Sequence, residues 1–406
     1  MAKTKNVTFL KFLIVLIAFQ DVAAGVAGSI MADLIVAFPE FPPSVVMLIA
    51  TIPGFFQIFP SLFYGKLANA FSKRTLLFTG LLLFIIGGIM PFFIDNLFII
   101  IAFRGILGLG VGITLPLSID IISSFFNGRE RDTLIGLGTS TVACIGAVFF
   151  QVAGGMLADA YSWQFGFLVY LFPIWILAIT FLYLPEPNRL QVENASLKEI
   201  LFSASKTVYG FTLGQVFYTA LVFGYVTNIS IIIQAEKLGS ATEAGLAISL
   251  FTLGTLLVGF FFGRLRQLWP NFNIPFGIIL TAAGILWCFY AKDLTFIFMA
   301  SLVGGMGLGI VIPGVLSRIS DLSNIAKGIS FVGFAAAAQG LGAIISPFMY
   351  QLTLHSFGQV GGRFTLFLAA IGLLALAIIW LVITSLSKKG SVQKTEYEPS
   401  NSTDVI

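Results

Sequence analysis

The sequence predicts an all-α membrane protein, with twelve transmembrane helices in two pseudo-symmetric six-helix bundles. Three observations carry that prediction: composition, segmentation and an internal repeat. Of 406 residues, 58% are hydrophobic and only 10% charged, with a mean hydropathy of +1.00. A soluble domain carries about 25% charged residues, so a soluble fold has nowhere to place this much apolar surface. A polytopic membrane protein is the class that fits. Phe occurs 43 times and Gly 42 times, as bulk facing lipid and close helix packing require.

The apolar runs lie at roughly 9–32, 43–65, 75–94, 97–120, 134–157, 162–184, 208–233, 241–263, 272–291, 294–317, 328–350 and 364–386. Each reaches the ~20 residues that carry a helix across a ~30 Å hydrocarbon core. The alternating segments of a membrane barrel are missing. The first run has a basic start and small residues Ala23, Ala24 and Gly25, like a secretory signal. It is too long for one, and removing it would invert the charge asymmetry of the remaining loops. With the N-terminus inside, 18 of the 22 basic residues fall on the inner side. Lys237, Lys292 and Arg363 fall outside, and Arg104 lies within the membrane. The expected location is the plasma membrane, with both termini cytoplasmic.

A polar connection over 185–207 separates a first half, 1–184, from a second, 208–387. The tail, 388–406, has no apolar period and is expected to be disordered. Cys144 and Cys288 lie inside apolar runs, and the one histidine, His355, falls in a loop. Neither a metal cluster nor a catalytic triad assembles from that inventory, so no enzyme and no cofactor is expected. The chain has no phosphate-binding loop, so ATP is not its energy source. The partners expected are a small-molecule substrate, protons and the lipid bilayer, not nucleic acid, and the chain is read as a monomer.

The repeat is read from four pairs. Arg104 opens the stretch Arg104-Gly-Ile-Leu-Gly-Leu-Gly-Val-Gly-Ile-Thr-Leu-Pro116, and Gly307-Leu-Gly-Ile-Val-Ile-Pro313 echoes its glycines 199 positions on. Gly65-Lys66-Leu67 is matched by Gly263-Arg264-Leu265, and Asp120 at the foot of the fourth span by Asp321. Gly146 to Gln151 is matched by Gly342 to Pro347. Their order and near-constant offset argue for duplication, and two such bundles rocking about a central cavity give alternating access.

At these residues the chain resembles the major facilitator superfamily. The loop Gly65 to Arg74 is similar to its inner-loop signature, with Asn69 where an acid is usual. The stretch from Arg104 to Gly112 is similar to its fourth-span signature. Gly146 with Gly154 and Gly155 is similar to the fifth-span signature of the drug/proton antiporter branch, with Phe150-Gln151 where Gly-Pro is usual. The resemblance implies the major facilitator fold and a proton-coupled exporter of a small organic compound.

Asp21 and Arg104 are the charges set deepest. At 1.5 Å per residue they lie at depths of roughly 15 and 12 Å, so they can meet inside the first half. One reading is a proton site, in which burial raises the aspartate and the arginine lowers it. The other is a static buried pair. Lys66, Lys73, Arg74 and Asp120, with Gly65, form the expected inner gate, and Arg264 with Asp321 its twin; the plainer reading is a screened surface pair. Gln20, Gln57, Thr114, Gln151, Gln215, Tyr218, Tyr225, Asn228 and Gln339 are cavity candidates, or else bonds between helices. Gly108, Gly110, Gly112, Gly146, Gly154 and Gly155 read as packing positions, and Pro53, Pro60, Pro116, Pro313 and Pro347 as kinks. Two rivals to the exporter are a proton-coupled symporter or uniporter taking up an organic anion or metabolite on Arg104, and a non-transporting membrane receptor or scaffold.

Overall fold

The computed structural model describes residues 7–20, 25–186, 206–270, 272–321, 328–359 and 361–395, and every regular element among them is helical. The first expected span is broken. Helix α1 (Val7–Leu16) tightens into a 3-10 turn at Ile17–Gln20, and short helices Val26–Ser29 and Met31–Ala37 follow. Gly25 and Gly28 weaken helix propagation there. Helix α2 (Leu48–Phe56) continues through Ile58–Leu62 and bends by 56° into Tyr64–Ala70.

Helix α3 (Lys73–Ile89) starts on Ser72, whose hydroxyl accepts the Thr75 amide, and α4 (Leu97–Phe125) starts on the Asn96 side chain; both are ordinary N-caps. A π turn, Leu137–Val142, leads into α5 (Ala143–Ala160). A 3-10 run, Trp163–Leu171, leads into α6 (Pro173–Tyr183). The second half is more regular: α7 (Lys206–Ala235), α8 (Ala241–Gly259), α9 (Asn273–Tyr290), α10 (Leu294–Asp321), α11 (Gly328–Ser356) and α12 (Arg363–Thr395).

Nine helices among the described residues are long and apolar enough to cross a bilayer, and bent α2 makes a tenth. The other two expected spans are the broken first segment and α11, a helix of 29 residues. Helix α12 continues past Lys388, where the tail was expected to lose its structure. The linker residues 187–205 and the end of the tail, 396–406, lie outside the described residues. One apolar core is built wholly from residues 208–377. The buried members of two others come from residues 10–184, with Ala241 the single exception.

Glycine contacts give the repeat its spatial register. A Cβ on Gly108 or Gly112 would fall 2.3 or 2.4 Å from the Pro53 or Gln57 carbonyl oxygen of the α2 run, and one on Gly110 would fall 2.6 Å from Gly80 O of α3. In the second half, Gly305 and Gly309 press in the same way on Phe251 and Thr255 of α8, and Gly307 presses on Gly277 of α9. Gly110 is therefore the counterpart of Gly307, and the offset is 197 rather than the 199 read from the Gly-Leu-Gly triplets. Gly146 lies against Phe19 O, as Gly342 lies against Val216 O, so that sequence pair holds. At an offset of 197 the counterpart of Asp120 is Ser317, one turn before Asp321, and the counterpart of Arg104 is Ser301.

Candidate functional site

Arg104 is fully buried on α4. Its Nε donates to the Ile49 carbonyl at 2.9 Å and its Nη1 to the Tyr170 hydroxyl at 2.8 Å. The guanidinium also lies 5.4 Å from the Tyr170 ring centre and 5.8 Å from that of Phe167. The Ile49 carbonyl is available for a local reason. In a helix it would accept from residue 53, and residue 53 is proline, which has no amide hydrogen. Pro116 does the same for the Gly112 carbonyl, which the Ser61 hydroxyl takes at 3.0 Å. Two residues read only as kinks thus expose backbone acceptors. Phe84 and Phe150 pack on Tyr170 and complete an aromatic shell beside the arginine. Asp21, the expected partner, lies outside the described residues.

A second cluster lies at the inner end of the first half. Lys73 is 1% exposed. Its Nζ donates to Asp120 at 2.7 Å and to Ser124 at 2.5 Å, while Tyr64 donates to the other Asp120 oxygen at 2.7 Å. The Lys73 amide donates to Glu186 at 3.1 Å. Arg74 is drawn elsewhere, onto the Phe181 carbonyl and ring. Lys66 lies over the Phe63 ring, Gly65 begins the next turn and Arg264 is exposed. The Asp321 side chain lies outside the described residues.

The halves meet along two crossings, α5 with α8 and α2 with α11. Gly155 packs on Ala241 O, Gly245 on Gln151 O and Gly340 on Gly54 O, each so closely that a Cβ would fall within 2.4 Å of the oxygen. Hydrogen bonds between halves run Ala32 to Ser230, Ser230 to Ser29, Gln234 to Asp33, Ser44 to Gln351 and Ser249 to Gln151. Among the described residues these bonds lie at mid-membrane or toward the end that the charge split names outer. That end is shut.

The sequence profile of the Major Facilitator Superfamily matches residues 10–231 and, a second time, 211–403. The chain belongs to the Major Facilitator Superfamily. One profile read twice is what a duplicated bundle produces, and membership sets the chain among multi-pass membrane transporters rather than enzymes. It is 29% identical over 118 residues to the multidrug transporter protein MdtP of Bacillus subtilis, which is 29% of this chain and 21% of that one. It is 27% identical over 224 residues to the riboflavin transporter RibZ of Clostridioides difficile, covering 53% of this chain and 48% of that one. The chain thus spans half or less of the length of these curated relatives. Among solved structures, a bacterial homologue of the lysosomal transporter Spinster superimposes with a TM-score of 0.69 at 14% identity, over 93% of this chain and 95% of that one. A peptide transporter in complex with sulfate gives 0.71 at 13%, over 93% and 94%. At those identities the likeness is one of fold.

The major facilitator fold sends the polar candidates to different places. Tyr218 and Tyr225 share a face of α7, as their spacing required, but that face is buried in the second core. Their hydroxyls bond Thr281 of α9 (2.9 Å) and Ser301 of α10 (2.7 Å), and Tyr225 stacks on Phe251. Packing captures such rings because a buried hydroxyl needs a near partner. Gln215 is buried and reaches Thr219 within α7, and Thr114 turns back to Val111 O. Asn228 bonds Gly224 O and the Gly362 amide and lines a cavity of about 790 Å³ at the outer end, with Met47, Pro347 and Tyr350. Gln57 and Gln339 are half-buried beside the Gly54–Gly340 crossing. The Gln20 side chain lies outside the described residues. Gln151 links three segments: its side chain accepts from Ser249 of α8, its carbonyl accepts from Ser29, and Gly25 packs against its amide.

Sequence reasoning missed Tyr170, Phe167, Asp33 and Asp159. Tyr170 carried one usable signal, a hydroxyl inside an apolar run at the depth of Arg104. Gly154 packs on Val26 and Gly166, as a packing glycine should.

Proposed function

We propose that the chain is a secondary active transporter of the cell membrane that exports a small amphipathic organic compound in exchange for protons, by alternating access. Asp21 takes the proton from outside and releases it inside as substrate leaves, and Arg104 sets how readily Asp21 holds it. One observation supports this most: a permanently charged guanidinium is wholly buried in the first half, while its counterpart in the second half is Ser301. A charge kept in one half only, inside a bilayer where it costs about 2.5–3.5 kcal/mol to insert, supports a functional role. The similarity to a multidrug transporter supports an amphipathic substrate.

A second reading, uptake of an organic anion or metabolite bound on Arg104, is favoured by the similarity to a riboflavin transporter. Inverted vesicles with an imposed pH gradient separate the two. A panel of cationic, neutral and anionic compounds should include one that accumulates when the lumen is acid. Movement of anions alone from lumen to bath would favour the second reading, driven by the gradient in a symporter and indifferent to it in a uniporter. If nothing moves with folded protein, neither stands.

A further inference from the structure

The first amides of any helix have no acceptor within it. In α8 they find one in the other half of the molecule. The Ala241 amide donates to Asp159 Oδ1 at 3.0 Å and the Thr242 amide to Asp159 Oδ2 at 2.9 Å. The Thr242 hydroxyl donates to Oδ2 as well, and the Ser240 hydroxyl lies 2.6 Å both from that oxygen and from Glu243 Oε2, the acid of the helix's own capping box. Asp159 itself belongs to the last turn of α5. An acid there is unfavourable to its own helix, whose C-terminal end is already partly negative. The positive end of α8 offsets that cost.

The pseudo-symmetric crossing lacks this device. At the repeat offsets, Ala241 corresponds to Pro43 and Asp159 to His355. Pro43 opens its helix and has no amide hydrogen to give, so no carboxylate is called for. The contact found there is the neutral pair Ser44 with Gln351.

We infer that Asp159 is a positioning residue of the transport cycle: it caps α8 from the opposite half, holds the outer end shut, and must let go before that end opens. This rests on the alternating-access reading, and the test reads conformation rather than transport. The full-length chain carries Cys144→Ala, Cys288→Ala and Ser230→Cys, the last at a fully buried seam position. A membrane-impermeant maleimide is applied to right-side-out vesicles. Asp159→Ala should raise the labelling rate about five-fold, the weight of one lost helix cap. Thr242→Val, a gentler change that removes one donor, should raise it less, and it serves if Asp159→Ala fails to insert. Asp95→Ala removes an equal charge from the exposed outer loop and should label at the parental rate. Labelling of folded Asp159→Ala and Thr242→Val at the parental rate would overturn the inference. So would an equal rise in Asp95→Ala. Should no compound be transported while Asp159→Ala still accelerates labelling, the latch stands and the export reading falls.

Discussion

Pro53 has no amide hydrogen, so the Ile49 carbonyl one turn before it stays free and Arg104 Nε takes it at 2.9 Å. The counterparts of proline and arginine in the second half are Phe251 and Ser301, so neither member of the pair recurs there. Pro53→Ala restores the competing amide. A hydrogen bond to a charged group is worth about 1.5–3 kcal/mol, so Pro53→Ala should lower the melting temperature in detergent as well as slow transport in vesicles. Tyr170→Phe removes the hydroxyl to which Arg104 Nη1 donates. It should destabilise by about 1–3 kcal/mol, read as a lower melting temperature in detergent. Arg104 was legible in the sequence as the one basic residue deep in an apolar run. Tyr170 and the Ile49 carbonyl were not. One is a single residue in an aromatic-rich run, and the other is a backbone atom whose freedom depends on a neighbour four positions on.

Helix pairs in this molecule are set by where side chains are absent. Gly108 and Gly112 face α2, and Gly110 faces α3, so one helix packs two neighbours at backbone distance. Gly112→Ala forces a Cβ to within 2.4 Å of a backbone oxygen and should cost about 1–3 kcal/mol through overpacking. Gly210→Ala on α7 meets nothing within 4 Å, and should gain up to about 1 kcal/mol because the unfolded chain loses freedom. Detergent melting curves of the two variants should therefore move in opposite directions. The Lys73–Asp120 pair acts at the same scale, joining the feet of α3 and α4 within one half. Asp120→Ala strands a buried lysine and should destabilise by about 3–5 kcal/mol in the same assay. The glycine motif was legible as a packing device, but its register was not. Repeated Gly-Leu-Gly triplets align equally well two residues apart, and only the carbonyls they press on decide between them.

Across the whole molecule, the helical class, the duplication and the apolar runs were legible because a bilayer forces long apolar helices on any chain that crosses it. The short helices of the first segment were not, since the segment reads as one apolar run and its Gly25 and Gly28 also read as packing positions. Arg363, an exception to the charge asymmetry, has a local cause: it pairs with Glu236 and donates to the carbonyls of Cys288, Phe289 and Ala291 at the end of α9. Such a cation closes a helix C-terminus. The two halves share their packing and differ in their charges, with the buried arginine and the trans-acting cap both supplied by the first. That division suits a cycle in which one half senses the proton and the other moves against it. The most direct test compares Asp21→Asn with the parent in two assays of the same vesicles: accumulation driven by a pH gradient, and exchange of labelled for unlabelled compound without one. The predicted result is that Asp21→Asn loses gradient-driven accumulation and keeps exchange. Accumulation at the parental level in Asp21→Asn would contradict proton coupling through the first half.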